Sequence, residues 1–271
     1  MRMKYVTSDW KREGYIIVSK TMTIFKLKEM MAEKMKIPPT RIMLTINNKS
    51  YGDNCLLEDY KIESHDEIRV IIVPKGRKID ELKRMGPIKG IEESMEWSGR
   101  GDLAASKVHT PTQPGISGDS IQGANSIVLS GGYEEDIDMG NVIFYTGAGS
   151  TNAHQTLTRG NKALTINCKD PFMINKATIS SDYRNGVPLR VVRLIKYPHE
   201  TKPNTWKEFY RYDGIFRVYG YWPLIGNQGF WIWHFCLIKD GALDSEIDFA
   251  IRCYNYSDLS YAWAMRTRSP A

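Results

Sequence analysis

The sequence predicts an α+β protein of two domains, and three observations support this fold class. The N-terminal part contains one run with helical periodicity among runs with strand character. The rest consists of short apolar runs separated by glycine and asparagine, which is typical of a curved sheet. A basic, polar stretch separates the two parts. We therefore expect domains at 1–73 and 86–240, a basic linker at 74–85, and a C-terminal extension at 241–271.

The N-terminal part combines one helix with four strands. Residues 23–35 carry apolar side chains at helical spacing, Thr23 is a suitable N-cap, and the pair Pro38-Pro39 ends the helix. Strands are predicted at four segments, which are 1–6, 15–19, 41–46 and 67–73. Strand, strand, helix, strand, strand within so few residues predicts a β-grasp domain.

The second part is predicted to form a curved or barrel-like sheet with a few helices around it. Its apolar runs are short, rich in β-branched and aromatic residues, and bounded by turn-forming residues. They lie at 127–129, 142–145, 191–195, 215–219 and 230–235.

The composition argues against several classes of protein. The four cysteines form no Cys-x-x-Cys pair and the five histidines are isolated, so we expect no zinc site, no disulfide framework, no cofactor and a reducing compartment. No apolar run approaches the roughly 20 residues that span a bilayer. The N-terminus is not followed by the apolar segment of a secretory signal. We therefore expect neither a metal enzyme nor a membrane protein.

The net charge of +6 is unevenly distributed along the chain. Residues 1–77 carry most of the excess, acidic residues predominate in 91–158, and basic residues predominate in 159–217. A basic segment can follow a phosphate backbone with one face of the protein. It can equally neutralise the acidic segment across the fold, so charge alone leaves both interpretations open.

Two tyrosines lie on either side of one aspartate, in glycine-rich turns at the ends of two apolar runs. Tyr133 and Asp136 follow Gly131-Gly132, and Tyr145 precedes Thr146-Gly147-Ala148-Gly149. Two aromatic faces can hold a flat polar ring while a carboxylate accepts a hydrogen bond from its edge. A nucleobase extruded from a duplex is a ligand of this kind. The pattern predicts a binding module rather than an enzyme.

Residues 1–73 resemble ubiquitin. The resemblance rests on Ile37-Pro38-Pro39 after the helix, Leu44, Lys49, and the segment Leu57-Glu-Asp-Tyr60-Lys-Ile62. Two departures matter. The chain continues through Pro74-Lys-Gly-Arg instead of ending in a free Gly-Gly, so conjugation to other proteins is not expected. Thr45 stands where the hydrophobic patch of ubiquitin centres on an isoleucine, which argues against ordinary ubiquitin receptors as partners.

Residues 86–240 resemble the SET- and RING-associated domain, called SRA or YDG. Its name motif is present as Tyr212-Asp213-Gly214, and the other matching segments follow in the family's order. They are Gly86-Pro-Ile-Lys-Gly, His109-Thr-Pro-Thr-Gln-Pro-Gly115-Ile, Gly131-Gly-Tyr133, Tyr145-Thr-Gly147, Asn161-Lys-Ala-Leu164 and Pro188-Leu-Arg-Val-Val-Arg193. With the N-terminal domain, the chain resembles the vertebrate UHRF group, ubiquitin-like proteins with PHD and RING fingers. The resemblance implies binding of double-stranded DNA that carries 5-methylcytosine, with the modified base flipped into a pocket.

The resemblance also implies which residues bind the base. Tyr133 and Tyr145 would sandwich it, and Asp136 would accept a hydrogen bond from the exocyclic amine of cytosine. Five further residues would complete the site around the edge of the base and its methyl group: Thr146, Ser130, Gly131, Gly132 and Ala148.

A loop at 110–115 corresponds to the segment from which SRA domains insert a side chain into the duplex. Gln113, followed by Gly115, would fill the space left by the flipped base, and its amide would hydrogen-bond the orphaned guanine. A glutamine also occurs at this place in plant SET-domain histone methyltransferases. Five basic residues are candidates for phosphate contacts: Arg159, Lys162, Arg184, Arg190 and Arg193.

The chain departs from the UHRF pattern after Tyr145-Thr-Gly. UHRF proteins have a longer loop there with an Asn-Lys-Arg finger that senses hemimethylation, whereas 149–158 is short and lacks this triplet. Selectivity for hemimethylated CpG is therefore not expected. The Cys and His ligands of a RING and the His-Asn-His arrangement of one nuclease class are also missing from the sequence.

The leading hypothesis is a non-enzymatic, nuclear reader of modified cytosine that recruits chromatin or ubiquitin-pathway proteins through its N-terminal domain. The alternatives are an interaction scaffold that does not bind DNA and an accessory subunit of a ubiquitin ligase or nuclease. Taken alone, Tyr133 and Tyr145 are also typical of core aromatics. Tyr212-Asp213-Gly214 is interpreted as a structural turn.

Overall fold

The computed structural model describes residues 1–8, 11–47, 49–75, 85–150, 152–169, 176–202 and 204–264. The chain divides into two compact units, Met1–Lys83 and Arg84–Ala271. The predicted α+β class is confirmed. The domain boundaries at 73, 86 and 240 stay predictions, and most of the linker predicted at 74–85 lies outside the described residues.

The first unit is a mixed sheet with one helix packed on it. Its elements are β1 (Arg2–Thr7), β2 (Glu13–Ile17), α1 (Ile24–Met35), β3 (Ile42–Ile46), β4 (Lys49–Ser50) and β5 (Glu67–Ile72). Among the described residues the strand order is β2-β1-β5-β3-β4, with β1 parallel to β5. The backbone N–H of Lys26 donates to Thr23 Oγ1 at 3.2 Å, so the predicted N-cap is confirmed. These elements form the predicted β-grasp.

The second unit is built on one large sheet. Its strands are β6 (Glu96–Trp97), β7 (Ile116–Asp119), β8 (Gly123–Leu129), β9 (Ile137–Asp138), β10 (Val142–Thr146), β11 (Thr178–Ile179), β12 (Leu189–Pro198), β13 (Trp206–Ile225) and β14 (Trp231–Lys239). Its helices are α2 (Arg100–Ala105), α3 (Arg159–Asn167) and α4 (Asp244–Ala264).

The sheet of the second unit runs β7-β8-β12-β13-β14-β10-β9 over the part of the chain that the structure describes, and β6 and β11 pair with β13. Its pairs are antiparallel apart from β8 with β12. All seven residues of β8 are buried, because α3 and the main apolar core cover one face of the strand and a smaller cluster with Val128, Val192 and Tyr212 covers the other. The curved sheet with flanking helices that the sequence predicts is confirmed.

The interpretation of Tyr212-Asp213-Gly214 as a turn is wrong. The three residues lie inside the long strand β13, and Asp213 is buried. Its carboxylate accepts hydrogen bonds from Arg193 Nη1 at 2.7 Å and from Arg211 Nε at 2.6 Å. The role is structural, but the aspartate neutralises Arg193 of β12 and Arg211 of its own strand instead of satisfying backbone donors.

The C-terminal extension contains a helix that the sequence analysis did not predict. α4 covers a second apolar cluster on β10, β13 and β14. Within this cluster the Tyr254 ring stacks on Phe144 with 4.0 Å between ring centroids and 14° between ring planes. The helix therefore belongs to the packed body of the second unit.

Candidate functional site

The hairpin of β9 and β10 brings the turn after β8 beside the end of β10. β8 ends at Leu129, the chain turns through 130–136, and Ile137 of β9 then pairs with Phe144 of β10. The turn thus returns next to the last residues of β10, and the backbone N–H of Thr146 donates to Asp136 Oδ1 at 2.7 Å. Two segments that the sequence separates by ten residues form one site.

Asp136 is a partly buried carboxyl group with a perturbed acidity. The pKa of Asp136 is raised to about 6, mainly by burial and to a smaller extent by the charges of Glu135 and Asp138, against the opposite effect of hydrogen bonds from Thr146. At pH 7 the group is mostly ionised, yet it is held in a less polar environment than water. A carboxylate in this state has a strong tendency to accept hydrogen bonds from an incoming donor.

Tyr133 is half-buried, and its hydroxyl is fixed at both hydrogen-bonding positions. It donates to the carbonyl of Gly149 at 2.8 Å and accepts from the backbone N–H of Gly149 at 3.1 Å. These two contacts tie the turn 130–136 to the segment that follows β10. The ring of Tyr133 is therefore held in one orientation.

Asn161 and Gln155 hold the segment Gly147-Ala148-Gly149. Asn161 Oδ1 accepts from the backbone N–H of Ala148 at 2.7 Å, and Asn161 Nδ2 donates to the carbonyl of Ala148 at 2.8 Å. Gln155 Nε2 donates to the carbonyl of Gly147 at 2.8 Å. A Cβ on Gly147 would lie 2.8 Å from Asn161 Oδ1, so only glycine allows this close approach.

Tyr145 is buried, with 4% of its surface exposed, and belongs to the main apolar core. Burial raises the pKa of Tyr145, and the charges of Asp136 and Tyr133 act in the same direction, since both groups lie near it. A Cβ on Gly115 would lie 2.8 Å from the Tyr145 hydroxyl. The absence of a side chain at Gly115 thus lets the loop 110–115 pack directly against the Tyr145 hydroxyl.

The loop 110–115 is supported by two residues that the sequence analysis did not single out. Arg100 Nη2 donates to the carbonyls of Pro111 at 2.9 Å and Pro114 at 2.6 Å. His109 Nε2 lies 2.9 Å from the same Pro114 carbonyl. Gln113 is exposed between these supports. The loop therefore presents Gln113 to solvent from a fixed backbone.

The structure brings together most of the residues predicted for the base site. Tyr133, Asp136, Tyr145 and Thr146 are connected by the contacts described above, and Gly115 joins them through Tyr145. The backbone of 130–132 lies exposed in the same turn, and Ala148 is exposed in the segment held by Asn161. Their roles toward a base stay predictions.

The surroundings of Arg190 and Arg193 argue against the predicted phosphate contacts. Arg190 is buried and donates to the carbonyls of Val108 at 2.9 Å and Gly86 at 2.6 Å, so it connects backbone segments. Arg193 is largely covered and paired with Asp138 and Asp213, each at 2.7 Å. Both guanidinium groups are held by partners within the protein.

The other three basic candidates differ in setting. Arg184 is exposed and paired with Asp244 at 2.5 Å, a surface contact that phosphate competes with readily. Arg159 and Lys162 lie in the first turn of α3, which follows the segment 147–158, with Arg159 exposed and Lys162 partly covered. Phosphate contacts by these three residues stay predictions.

Two broad features bear on other functions. Among the described residues no group of three or more His, Cys, Asp or Glu side chains is placed to hold a metal ion. No helix in that part of the chain is long and apolar enough to cross a membrane.

Comparisons with known proteins divide the chain in two. Residues 84–241 match the SAD/SRA domain family, and residues 1–72 match the family described as ubiquitin-2 like Rad60 SUMO-like. The E3 ubiquitin-protein ligase UHRF1 of Bos taurus is 42% identical over 166 residues, which are 57% of this chain and 21% of that protein. A UHRF1-like protein of Cryptococcus neoformans var. grubii is 36% identical over 156 residues, which are 56% of this chain and 44% of that protein.

Among solved structures, the SUVH5 SRA domain in complex with fully methylated CG DNA is 30% identical, with a TM-score of 0.44, and the match covers 58% of this chain and 95% of that chain. This chain spans about a fifth of the length of bovine UHRF1. Because the family segment 84–241 covers more than half of the sequence, the chain belongs to the SAD/SRA domain family and joins this domain to an N-terminal ubiquitin-like domain.

Proposed function

We propose that this chain reads modified cytosine in double-stranded DNA by flipping the base against Tyr133 and Asp136. The observation that carries the proposal is the Asp136 carboxylate. Thr146 fixes its orientation through Oδ1, and its remaining lone pairs can accept from a second donor. The exocyclic amine of cytosine is such a donor, whereas thymine offers a carbonyl oxygen at the same position, which a carboxylate repels. The site thus favours cytosine over thymine.

Tyr133 supplies a face for stacking. Because Gly149 holds the Tyr133 hydroxyl at both hydrogen-bonding positions, the ring loses little conformational entropy when a base packs on it. Base stacking on an aromatic side chain contributes about 1–3 kcal/mol, which offsets much of the cost of unstacking the base from the duplex. Tyr145 would supply the opposite wall. Since Tyr145 is buried and the loop 110–115 packs against its hydroxyl, we expect this loop to shift as the base enters.

The loop 110–115 would enter the duplex from the other side of the site. Gln113 is exposed on a backbone that Arg100 and His109 hold. An amide offers both a donor and an acceptor, so it can pair with the guanine left without a partner. We propose that Gln113 fills the space of the flipped cytosine.

The segment after β10 bears on the methylation pattern that is read. Asn161 and Gln155 hold 147–149 against the protein, and the short segment up to Thr158 carries no Asn-Lys-Arg finger. We therefore propose that the chain does not prefer hemimethylated over fully methylated CpG. We further propose that it acts in the nucleus, and that the ubiquitin-like domain recruits chromatin or ubiquitin-pathway proteins.

Fluorescence anisotropy tests the proposal with duplexes that differ only at one CpG: unmodified, hemimethylated, fully methylated and hydroxymethylated. Titrations at two salt concentrations separate base recognition from backbone contact, because backbone contact weakens steeply with salt. We expect the wild type to prefer a modified duplex and Asp136→Ala to lose this preference. Glu134→Ala, which removes an exposed carboxylate of the same turn, should retain it.

Two results would contradict it. Equal, salt-sensitive binding to all four duplexes would leave only backbone contact. No binding at all would favour the scaffold alternative.

A further inference from the structure

The site is connected to the C-terminal helix α4 by a chain of buried hydrogen bonds. Trp222 Nε1 donates to the Tyr254 hydroxyl at 2.9 Å, and this hydroxyl lies 3.0 Å from His234 Nδ1. His234 Nε2 lies 3.3 Å from Thr146 Oγ1, and the backbone N–H of Thr146 donates to Asp136 Oδ1 at 2.7 Å. Tyr254, His234 and Thr146 are each at most 3% exposed. The chain therefore runs through the protein interior from α4 to the base site.

The direction of these hydrogen bonds follows from the chemistry of the groups. An indole N–H can only donate, so the Tyr254 oxygen accepts from Trp222, and its own proton is available for His234 Nδ1. A neutral imidazole that accepts at Nδ1 carries its proton at Nε2, which donates to Thr146 Oγ1. In this arrangement the Tyr254 hydroxyl, which α4 supplies, selects the Nε2–H tautomer of His234.

The charge state of His234 is consistent with this direction. Burial lowers the pKa of His234 to about 4, against the opposing effect of the Glu135 backbone, so the ring is neutral at pH 7. The ionisable groups around Asp136 are Glu135 and Asp138 on its own segment, Tyr133 in the turn, Tyr145 on β10, and His234 on β14 behind Thr146. With the ring neutral, the two hydrogen bonds from Thr146 remain the contacts that favour the ionised carboxyl.

We propose that Tyr254 is a positioning residue for the base site: through His234 it holds the side chain of Thr146, whose backbone N–H fixes Asp136 Oδ1, and it thereby determines which lone pairs of the carboxylate face an incoming base. The inference rests on the function proposed above. It assigns part of that function to α4, which lies beyond the family segment 84–241.

Tyr254→Phe tests the inference because the ring can keep its stacking on Phe144 while the hydroxyl is lost. Tyr212→Phe is the matched control, since Tyr212 is an equally buried phenol in a separate apolar cluster. The first readout needs no DNA. NMR of the free protein with ¹⁵N-labelled histidine and ¹³C-labelled aspartate reports the tautomer of His234 and the pKa of Asp136. The second readout is the affinity for a methylated duplex from pH 5.5 to 8.

In the wild type we expect the Nε2–H tautomer of His234. In Tyr254→Phe, His234 should no longer be restricted to this tautomer, and the pKa of Asp136 should rise. Binding of the methylated duplex should weaken by about fivefold at pH 7. The loss of binding on acidification should occur at a higher pH than in the wild type. Tyr212→Phe should change none of these. An unchanged tautomer and Asp136 pKa in Tyr254→Phe would overturn the inference. A wild type without preference for methylated DNA would instead refute the proposed function, and the NMR result would still decide whether α4 sets the state of Asp136.

Discussion

Replacement of Asp136 by asparagine should stabilise the protein while it removes recognition of modified cytosine. Burial raises the pKa of Asp136 to about 6, so ionisation of this group costs more in the folded protein than in the unfolded chain. The excess is about 3 kcal/mol at most, and solvent screening of a partly exposed carboxylate reduces it to about 1–2 kcal/mol. Asparagine is nearly isosteric, and its oxygen can still accept from the backbone N–H of Thr146. The variant therefore avoids the cost of burying an ionised carboxyl and retains this hydrogen bond.

The sign of the effect depends on pH. Because the folded state binds the Asp136 proton more tightly than the unfolded state, the wild type loses stability as pH rises from about 4 through 6. Asp136→Asn does not titrate. Its free energy of unfolding should therefore exceed the wild-type value by about 1–2 kcal/mol at pH 8, and the difference should vanish toward pH 4.

Urea denaturation at four pH values between 4 and 8 measures this difference, with Glu134→Gln as the control from the same turn. DNA binding measured in parallel should show no preference for modified duplexes. The amide nitrogen of the introduced asparagine would face the exocyclic amine of cytosine, and both groups are hydrogen-bond donors. The reasoning would be refuted if Asp136→Asn were less stable than the wild type at pH 8. It would also be refuted if the difference in free energy of unfolding between variant and wild type were the same at all pH values.

Three further substitutions test other parts of the structure. Gly115→Ala places a Cβ 2.8 Å from the Tyr145 hydroxyl; thermal unfolding should show a loss of about 1–3 kcal/mol, and anisotropy should show weaker binding of methylated DNA. Arg190→Leu leaves two buried carbonyls without their donor and should cost more than about 2 kcal/mol in denaturant unfolding, while the folded fraction keeps its preference for modified DNA. Gln113→Ala should leave the melting temperature unchanged because the side chain is exposed, and should weaken binding of the methylated duplex.

Local patterns predicted the fold class, which the structure confirms, and indicated candidate residues for the base site, because both depend on short-range signals. Thr23 and the apolar spacing of residues 23–35 define a helix that its own sequence encodes. Tyr133, Asp136 and Tyr145 lie in short motifs in the turn 130–136 and at the end of β10. Neighbouring glycines and apolar runs make these motifs recognisable in the sequence. Resemblance to a known family then placed these motifs in order.

Pairings between distant segments were not predictable in the same way. Arg190 and Arg193 are indistinguishable from surface cations in the sequence, since burial and partners between 20 and 104 residues away decide their role. Asp213 was assigned to a turn because its neighbours favour turns, yet β13 continues through it and the aspartate pairs across strands. Tyr254 is separated by 20 residues from His234 and by more than 100 from Thr146, so only the packed structure reveals their contact.

The central claim is that a modified cytosine leaves the duplex and enters the site of Tyr133 and Asp136. The most direct measurement uses a duplex with 2-aminopurine beside one 5-methylcytosine, because this fluorophore brightens when its neighbour unstacks. The account predicts a rise in fluorescence with the wild type that is absent for the unmethylated duplex and for Tyr133→Ala. Anisotropy that reports tight binding of the methylated duplex while the fluorescence stays constant would contradict base flipping.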